Sequence, residues 1–299
     1  MDNTPFLYCY PILGRCGLGN KLFPWSRAVI CARKYGLKVL APRWAQIRVG
    51  PLFRRERDKK FYIGLFTNKG YISGIKKLKV LFFNLKIKEQ DFNENLFIDT
   101  GVKKSRVIVF SGLKDYFYDL KGNHDFLREE LRKITESKWI EISDKFGKNF
   151  IVINIRRGDF VLSGVHTPLE WFIGVARRIR ELSQLDDIPI KIISDGTIEE
   201  LSPFLGVKNT ELVLSLGSAI ADILAMSNSS FLVASKGSTF SAWASFLGRM
   251  PTIYPPGSSP DKLFEQSENV FEDEYDPKFE FPELLKENLN LIKNKSHEH

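Results

Sequence analysis

The sequence predicts an α/β protein of two lobes, each built on a parallel sheet with helices on its faces. Three observations predict it. The chain opens on an apolar run, a glycine-rich turn, a helical stretch and a second apolar run; its second half alternates short apolar runs with short helical stretches; and its charge divides it near the middle. With 299 residues, 43% hydrophobic and 27% charged, the chain is long enough to bury two cores.

The opening reads as a strand over residues 6–12, a turn at Gly14-Arg15-Cys16-Gly17-Leu18-Gly19, a helix over 20–34 and a strand over 37–41, which makes a βαβ unit. Residues 42–104 are poorly periodic and rich in Lys, Gly and Asn, which predicts irregular structure with short elements. A strand follows at 106–110 and a helix at 125–137. The second half reads as strands at 151–155, 190–193, 211–214, 231–234 and 252–254, alternating with helices at 169–182, 197–201, 219–226 and 239–247. The acidic, aromatic tail from about residue 261 ends in a helix at 283–291, predicted to pack back across the lobes. The expected layout is two Rossmann-like lobes, 1–145 and 146–299, with an inter-domain cleft.

Composition narrows the classes. Cys9, Cys16 and Cys31 match neither a metal spacing nor a disulfide framework, so no metal site is expected and a reducing cytoplasm is the default compartment. No export signal opens the chain, and no apolar stretch reaches the roughly 18 to 20 residues that span a bilayer.

Residues 1–145 carry a net charge of +14 and residues 146–299 a net charge of −6. Residues 43–88 alone hold 13 Lys and Arg against Glu56 and Asp58, interleaved with Phe and Leu. Such a segment is a solvated face, a nucleic-acid surface or a dock for an anionic membrane leaflet. The membrane reading is preferred and no nucleic acid is expected, because no nucleic-acid-binding module accompanies the charge.

Ligands of open α/β sheets sit beyond the carboxyl ends of the strands, which singles out three segments. In Asn154-Ile155-Arg156-Arg157-Gly158-Asp159, two guanidinium groups and a carboxylate follow directly from an apolar run. Arginine forks match phosphate oxygens and stay charged at any working pH. Alternation along an extended strand turns Arg156 and Arg157 opposite ways, so one meets ligand while the other pairs internally, with Asp159 as a candidate partner. In Ser194-Asp195-Gly196, a carboxylate at a strand tip accepts from a ribose or a base, or caps the next helix. In Ser235-Lys236-Gly237-Ser238-Thr239, a strand turns through glycine into a helix and presents N–H groups and hydroxyls to an anion. In the first half, Arg15, Gly17, Gly19 and Asn20 are expected to line the cleft on the acceptor side.

Taken together and in this order, these residues resemble the α-1,2-fucosyltransferases and the wider group of GDP-fucose-dependent transferases. The resemblance lies in Gly17-Leu18-Gly19-Asn20 followed by Leu22-Phe23, in Asn154-Ile155-Arg156-Arg157-Gly158-Asp159 as the HxRRxD motif, in Asp222-Ile223-Leu224-Ala225-Met226-Ser227, and in Ser238-Thr239-Phe240-Ser241-Ala242-Trp243-Ala244. Asn154 stands where the family has His, and Lys21 where Gln is usual. The resemblance implies a glycosyltransferase-B fold and an inverting, metal-free transfer of fucose from GDP-β-L-fucose to a glycan hydroxyl. The preferred reading is therefore a cytoplasmic fucosyltransferase that builds a bacterial surface polysaccharide on an acceptor that can be lipid-linked, with the basic segment 43–88 as its candidate dock on the inner face of the plasma membrane. On that analogy Asn154, Arg156, Arg157, Asp195, Gly237, Ser238 and Thr239 bind the donor nucleotide, with Arg156 at the diphosphate, Asp195 at the guanosine, and Ser238 and Thr239 at the phosphates. Beyond the donor substrate no cofactor is implied.

Arg156 is the expected catalytic stabiliser of the leaving group, and Asp159, His166 and Glu170 are candidates for a base by position. Another nucleotide sugar, and a basic nucleic-acid-binding module, are the alternatives.

Overall fold

The computed structural model describes residues 7–45, 61–93, 105–157, 167–183, 185–258 and 262–296. The chain divides into two compact units. The first comprises residues 1–47 and 60–136, and the second residues 48–59 and 137–299. All named strands in both units pair in parallel.

In the first unit, strand β1 (Leu7–Ile12) leads through the glycine turn into helix α1 (Leu18–Tyr35) and strand β2 (Lys38–Val39). Gly36 ends α1 in the left-handed region, at φ 65°, which costs glycine nothing. Helix α2 (Gly74–Phe83), strands β3 (Leu85–Lys88) and β4 (Arg106–Ser111), and helix α3 (His124–Ile134) complete the unit. Its sheet order is β2-β1-β4-β3. The buried Arg27 of α1 clasps β4: it pairs with Glu89 at 2.8 Å and donates to the carbonyls of Ser111, Gly112 and Leu113. A guanidinium taken out of water needs such saturation.

The second unit begins at helix α4 (Ser137–Lys145), which packs on the helix over Ala219–Met226 of the same unit, and continues into strand β5 (Ile151–Ile155). There follow α5 (Leu169–Ser183), β6 (Ile190–Ser194), α6 (Ile198–Leu201), β7 (Thr210–Leu214), α7 (Ala219–Met226), β8 (Phe231–Val233), α8 (Thr239–Gly248), β9 (Thr252–Tyr254), β10 (Glu272–Glu274) and α9 (Glu283–Ser296). The six strands run β10-β9-β8-β5-β6-β7. The order reverses at β5, the kind of place where open α/β sheets bind ligands. All five β5 residues are buried, as a central parallel strand requires. One core joins β5, β6 and β8 to Phe172, Val175 and Ile179 of α5 and to Leu285 and Leu289 of α9. The final helix packs on α5 within its own unit.

Three elements depart from the sequence reading. Residues 74–88, within the stretch expected to be irregular with short elements, form α2 and β3, which the sequence reading did not place. The helix expected over 125–137 stops at Thr135, whose hydroxyl donates to the Leu131 carbonyl, and a separate helix, α4, follows. Strand β10 has the sequence Glu-Asp-Glu and carries no apolar signal.

Candidate functional site

Strands β5, β6 and β7 end on a cavity of about 450 Å³. Its lining includes Asn154, Arg156, Asp195, Ser215, Gly217, Ser218, Asp222 and Phe240. A volume in the range of about 300–1,000 Å³, with convergent polar groups, is that of a small-molecule site.

The strand ends are stitched together by buried side chains. Ser235, just after β8, accepts the Arg156 N–H at 2.8 Å and donates its hydroxyl to the Asn154 carbonyl at 2.9 Å. Ser194 donates to the Ile155 carbonyl at 2.7 Å and accepts the Gly196 N–H at 3.0 Å. Asn154 is 2% exposed and spans two neighbours: its amide donates to the Ile193 carbonyl at 3.0 Å, and its Oδ1 accepts the Ser241 hydroxyl at 2.8 Å. Both ends of this amide are therefore engaged by protein, so Asn154 acts as a strut between β5, β6 and α8 at the cavity floor.

The two arginines part company here. Arg156 lines the cavity, with its guanidinium 3.4 Å from Asp195 and 5.9 Å from the Phe240 ring centre. Arg157 pairs with Glu200 at 3.3 Å, while its N–H donates to Asp195 at 2.6 Å. Glu200 is itself fixed, since it closes a capping box with Thr197 at the start of α6. Gly196 is boxed in by this arrangement. A Cβ there would lie 3.1 Å from both the Arg157 stem and the Glu200 carboxylate.

Of the remaining residues singled out in this unit, Ser238 caps α8, its hydroxyl accepting the Ser241 N–H at 3.2 Å. Gly237, at φ 63°, makes the left-handed turn before it. Neither these two nor Thr239 lines the cavity; Phe240, one residue on, does. Glu170 is exposed in the first turn of α5. Asp159 and His166 lie outside the described residues.

Asp222 is the lining residue that motif spacing left without a role. It is 7% exposed on the apolar helix α7, and it accepts the Ser215 hydroxyl at 2.8 Å and the Leu216 N–H at 2.6 Å. It thereby sets the loop between β7 and α7 that forms one wall. A single acid within the sequence AIADILAM was the available signal, because a carboxylate in an apolar helix face is costly unless bonded.

The first unit has its own cavity of about 380 Å³, lined by Tyr10, Leu13, Gly14, Arg15, Arg43 and neighbours. Arg15 is exposed on it, whereas Gly17 is the N-cap of α1 and Gly19 is buried in the first helical turn. Asn20, half-buried, does not line this cavity. Lys21 is fully buried; its ammonium donates to the Gly14 carbonyl at 2.9 Å and lies 5.6 Å from the Tyr62 ring centre. Among the described residues, no group of three or more His, Cys, Asp and Glu side chains could hold a metal ion. No helix of the described residues is long and apolar enough to cross a membrane.

The Glycosyl transferase family 11 model matches residues 105–277, more than half of the chain and all of the strands that frame the second unit's cavity. The chain belongs to glycosyl transferase family 11. It is accordingly a glycosyltransferase. Solved structures agree on the fold. POFUT1 in its apo form is 12% identical, with 85% of this chain and 98% of that chain covered, at a TM-score of 0.54. Fucosyltransferase NodZ from Bradyrhizobium is 12% identical, with 86% and 97% covered, at 0.53. NodZ α-1,6-fucosyltransferase co-crystallised with GDP is 11% identical, with 84% and 95% covered, at 0.50. The family 11 chain thus has the glycosyltransferase-B type of fold. No curated protein matches it significantly by sequence.

Proposed function

We propose that this family 11 enzyme transfers fucose from GDP-β-L-fucose to a glycan hydroxyl, with inversion. The observation that carries the reading is the position of the Arg156 guanidinium on the second unit's cavity, braced by Asp195 and by the Ser235 bond to its own backbone. A preorganised cation at a strand end stabilises the charge that develops on a departing diphosphate, at no cost in reorganisation during the reaction. The Gly237-Ser238-Thr239 turn opens α8, whose N-terminal N–H groups supply the same sign of potential. In this reading these groups supply the charge neutralisation and no metal is needed, so chelation by EDTA leaves turnover unchanged. The nucleoside end of the donor occupies the side bounded by Ser215, Gly217, Ser218 and Asp222, where the carboxylate puts an acidic wall beside the N–H groups of guanine.

Residues 1–145 take the acceptor side and residues 146–299 the donor side, with Arg15, Gly17, Gly19 and Asn20 serving the acceptor. Asp159 and His166 are the proposed acceptor bases, and a pH–rate profile of each Ala variant separates them. The acceptor is a glycan of a bacterial surface polysaccharide, lipid-linked at the inner face of the plasma membrane.

Thermal shift with GDP, GDP-fucose, GDP-mannose and UDP-sugars, followed by product analysis, tests the donor. Stabilisation and turnover by GDP-fucose are the expected result. Stabilisation by UDP-sugars alone would replace fucose with another donor sugar.

A further inference from the structure

The first unit carries one surface that its fold does not explain. Helix α2 buries none of its residues, and the side chains it turns to solvent are large and apolar: Phe82 is 82% exposed, Ile75 73%, Phe83 72% and Leu78 65%. Ile75, Leu78 and Phe82 stand at i, i+3 and i+7, which places them on one helical face. That spacing ordinarily marks the face turned to a core. Here the helix is fastened from the other side. Lys77 donates to the Ala41 carbonyl at 2.6 Å and lies 4.9 Å from the Tyr10 ring centre. Leu85, in the edge strand β3 that follows, is 59% exposed and extends the patch.

The charge around the patch selects its occupant. Residues 61–88 contain six lysines and no Asp or Glu. Lys76 and Lys79 of α2 and Lys86 and Lys88 of β3 are exposed. A protein partner matched to an apolar stripe needs no such one-sided charge. An anionic bilayer matches both features, since its acyl boundary takes the Phe, Leu and Ile side chains while its headgroups meet the ammonium groups.

We infer that α2 is an interfacial membrane helix, which lies in the headgroup plane of an anionic leaflet with Phe82, Phe83, Leu78 and Ile75 in the acyl boundary. The inference names the surface that would bring a membrane-presented acceptor to the enzyme, and to that extent it rests on the reading of the acceptor above. Binding to vesicles requires neither donor nor acceptor, so the two readings fail separately.

The test is flotation of the full chain with vesicles of phosphatidylcholine alone and of phosphatidylcholine mixed with phosphatidylglycerol. The expected result is co-flotation with the mixed vesicles, weakened by salt, and little with phosphatidylcholine alone. The variant Phe82→Ser/Phe83→Ser loses flotation but keeps its melting temperature and its turnover on a water-soluble acceptor. Neutralising Lys76, Lys79 and Lys86 to Gln weakens binding by roughly fivefold per lysine. Two outcomes overturn the inference: a wild-type chain that ignores anionic vesicles, and a double Ser variant that floats as well as the wild type. A wild-type chain that ignores vesicles and self-associates in sedimentation, with the association abolished by the same Ser pair, would assign the patch to a second copy instead.

Discussion

Asp195 holds both arginines of the β5 exit, accepting the Arg157 N–H on one carboxylate oxygen at 2.6 Å and facing the Arg156 guanidinium with the other at 3.4 Å. One carboxylate thus fixes the backbone of the arginine that turns away and the side chain of the arginine that lines the cavity. Arg156 carries cationic potential into the cavity from a position that its neighbours have already set.

Replacing Arg156 with Ala is expected to lower kcat by about 10²- to 10³-fold, as removal of one preorganised donor does, with little change in melting temperature. Arg156→Lys recovers only part of the rate, because an ammonium reproduces neither the planar fork nor its pairing with Asp195. Steady-state kinetics on the purified variants checks both. An Arg156→Ala enzyme with full activity overturns the role.

Asp222→Ala leaves the Ser215 hydroxyl and the Leu216 N–H without their acceptor and frees the β7–α7 loop. The expected cost is about 1–3 kcal/mol of stability, together with a raised KM for the donor and a smaller fall in kcat. Asp222→Asn keeps one acceptor oxygen and should recover much of the stability. If it recovers stability but not donor affinity, the carboxylate contacts the nucleotide directly. Melting curves and donor titrations separate the two effects.

Asn154→Ala removes a buried amide that serves β6 and α8 at once, and strands the Ile193 carbonyl and the Ser241 hydroxyl. A loss of about 1–3 kcal/mol is expected, visible as a melting temperature lowered by several degrees. Asn154→His carries one donor and one acceptor and should be the milder change. A melting temperature unchanged in the Ala variant would contradict the strut.

Cys9 in β1 and Cys31 in α1 form a hydrogen-bonded thiol pair in which the S–H of Cys9 donates, so that Cys31 ionises below the ordinary thiol range while Cys9 is held protonated. Alkylation of Cys31 by iodoacetamide should therefore rise at a lower pH than that of an ordinary thiol, since the thiolate is the nucleophile. In Cys9→Ala the donor is gone and the alkylation curve shifts to higher pH. Rates measured by mass spectrometry across pH check the sign.

The second unit was legible because its signals agree with its physics. Its central strand is apolar at every position but Asn154, and helices separate the strands, so alternation of elements leads directly to a parallel sheet and to the strand ends that hold Arg156 and Asp195. The elements that escaped are those whose burial contradicts their pattern. Helix α2 points its apolar stripe outward, so a periodic signal had no core to refer to. Strand β10 is an acidic edge whose Glu272 is buried because it accepts the N–H groups of Leu263 and Phe264. The strut role of Asn154 depends on Ile193 and Ser241, far away in the chain, and the wall role of Asp222 on the way the loop at Ser215 and Leu216 folds back on α7, neither of which spacing alone reveals.

The parallel order around β5 also governs what happens to a shortened chain. Its neighbours are β6 on one side and β8 on the other, and β8 arrives only at Phe231. A nascent or truncated polypeptide that stops before Phe231 would present a bare hydrogen-bonding edge along Ile-Val-Ile-Asn-Ile, a segment with high β-propensity and no charge. Such fragments should precipitate, and nonsense mutations between residues 156 and 230 should yield aggregates and no soluble half-enzyme.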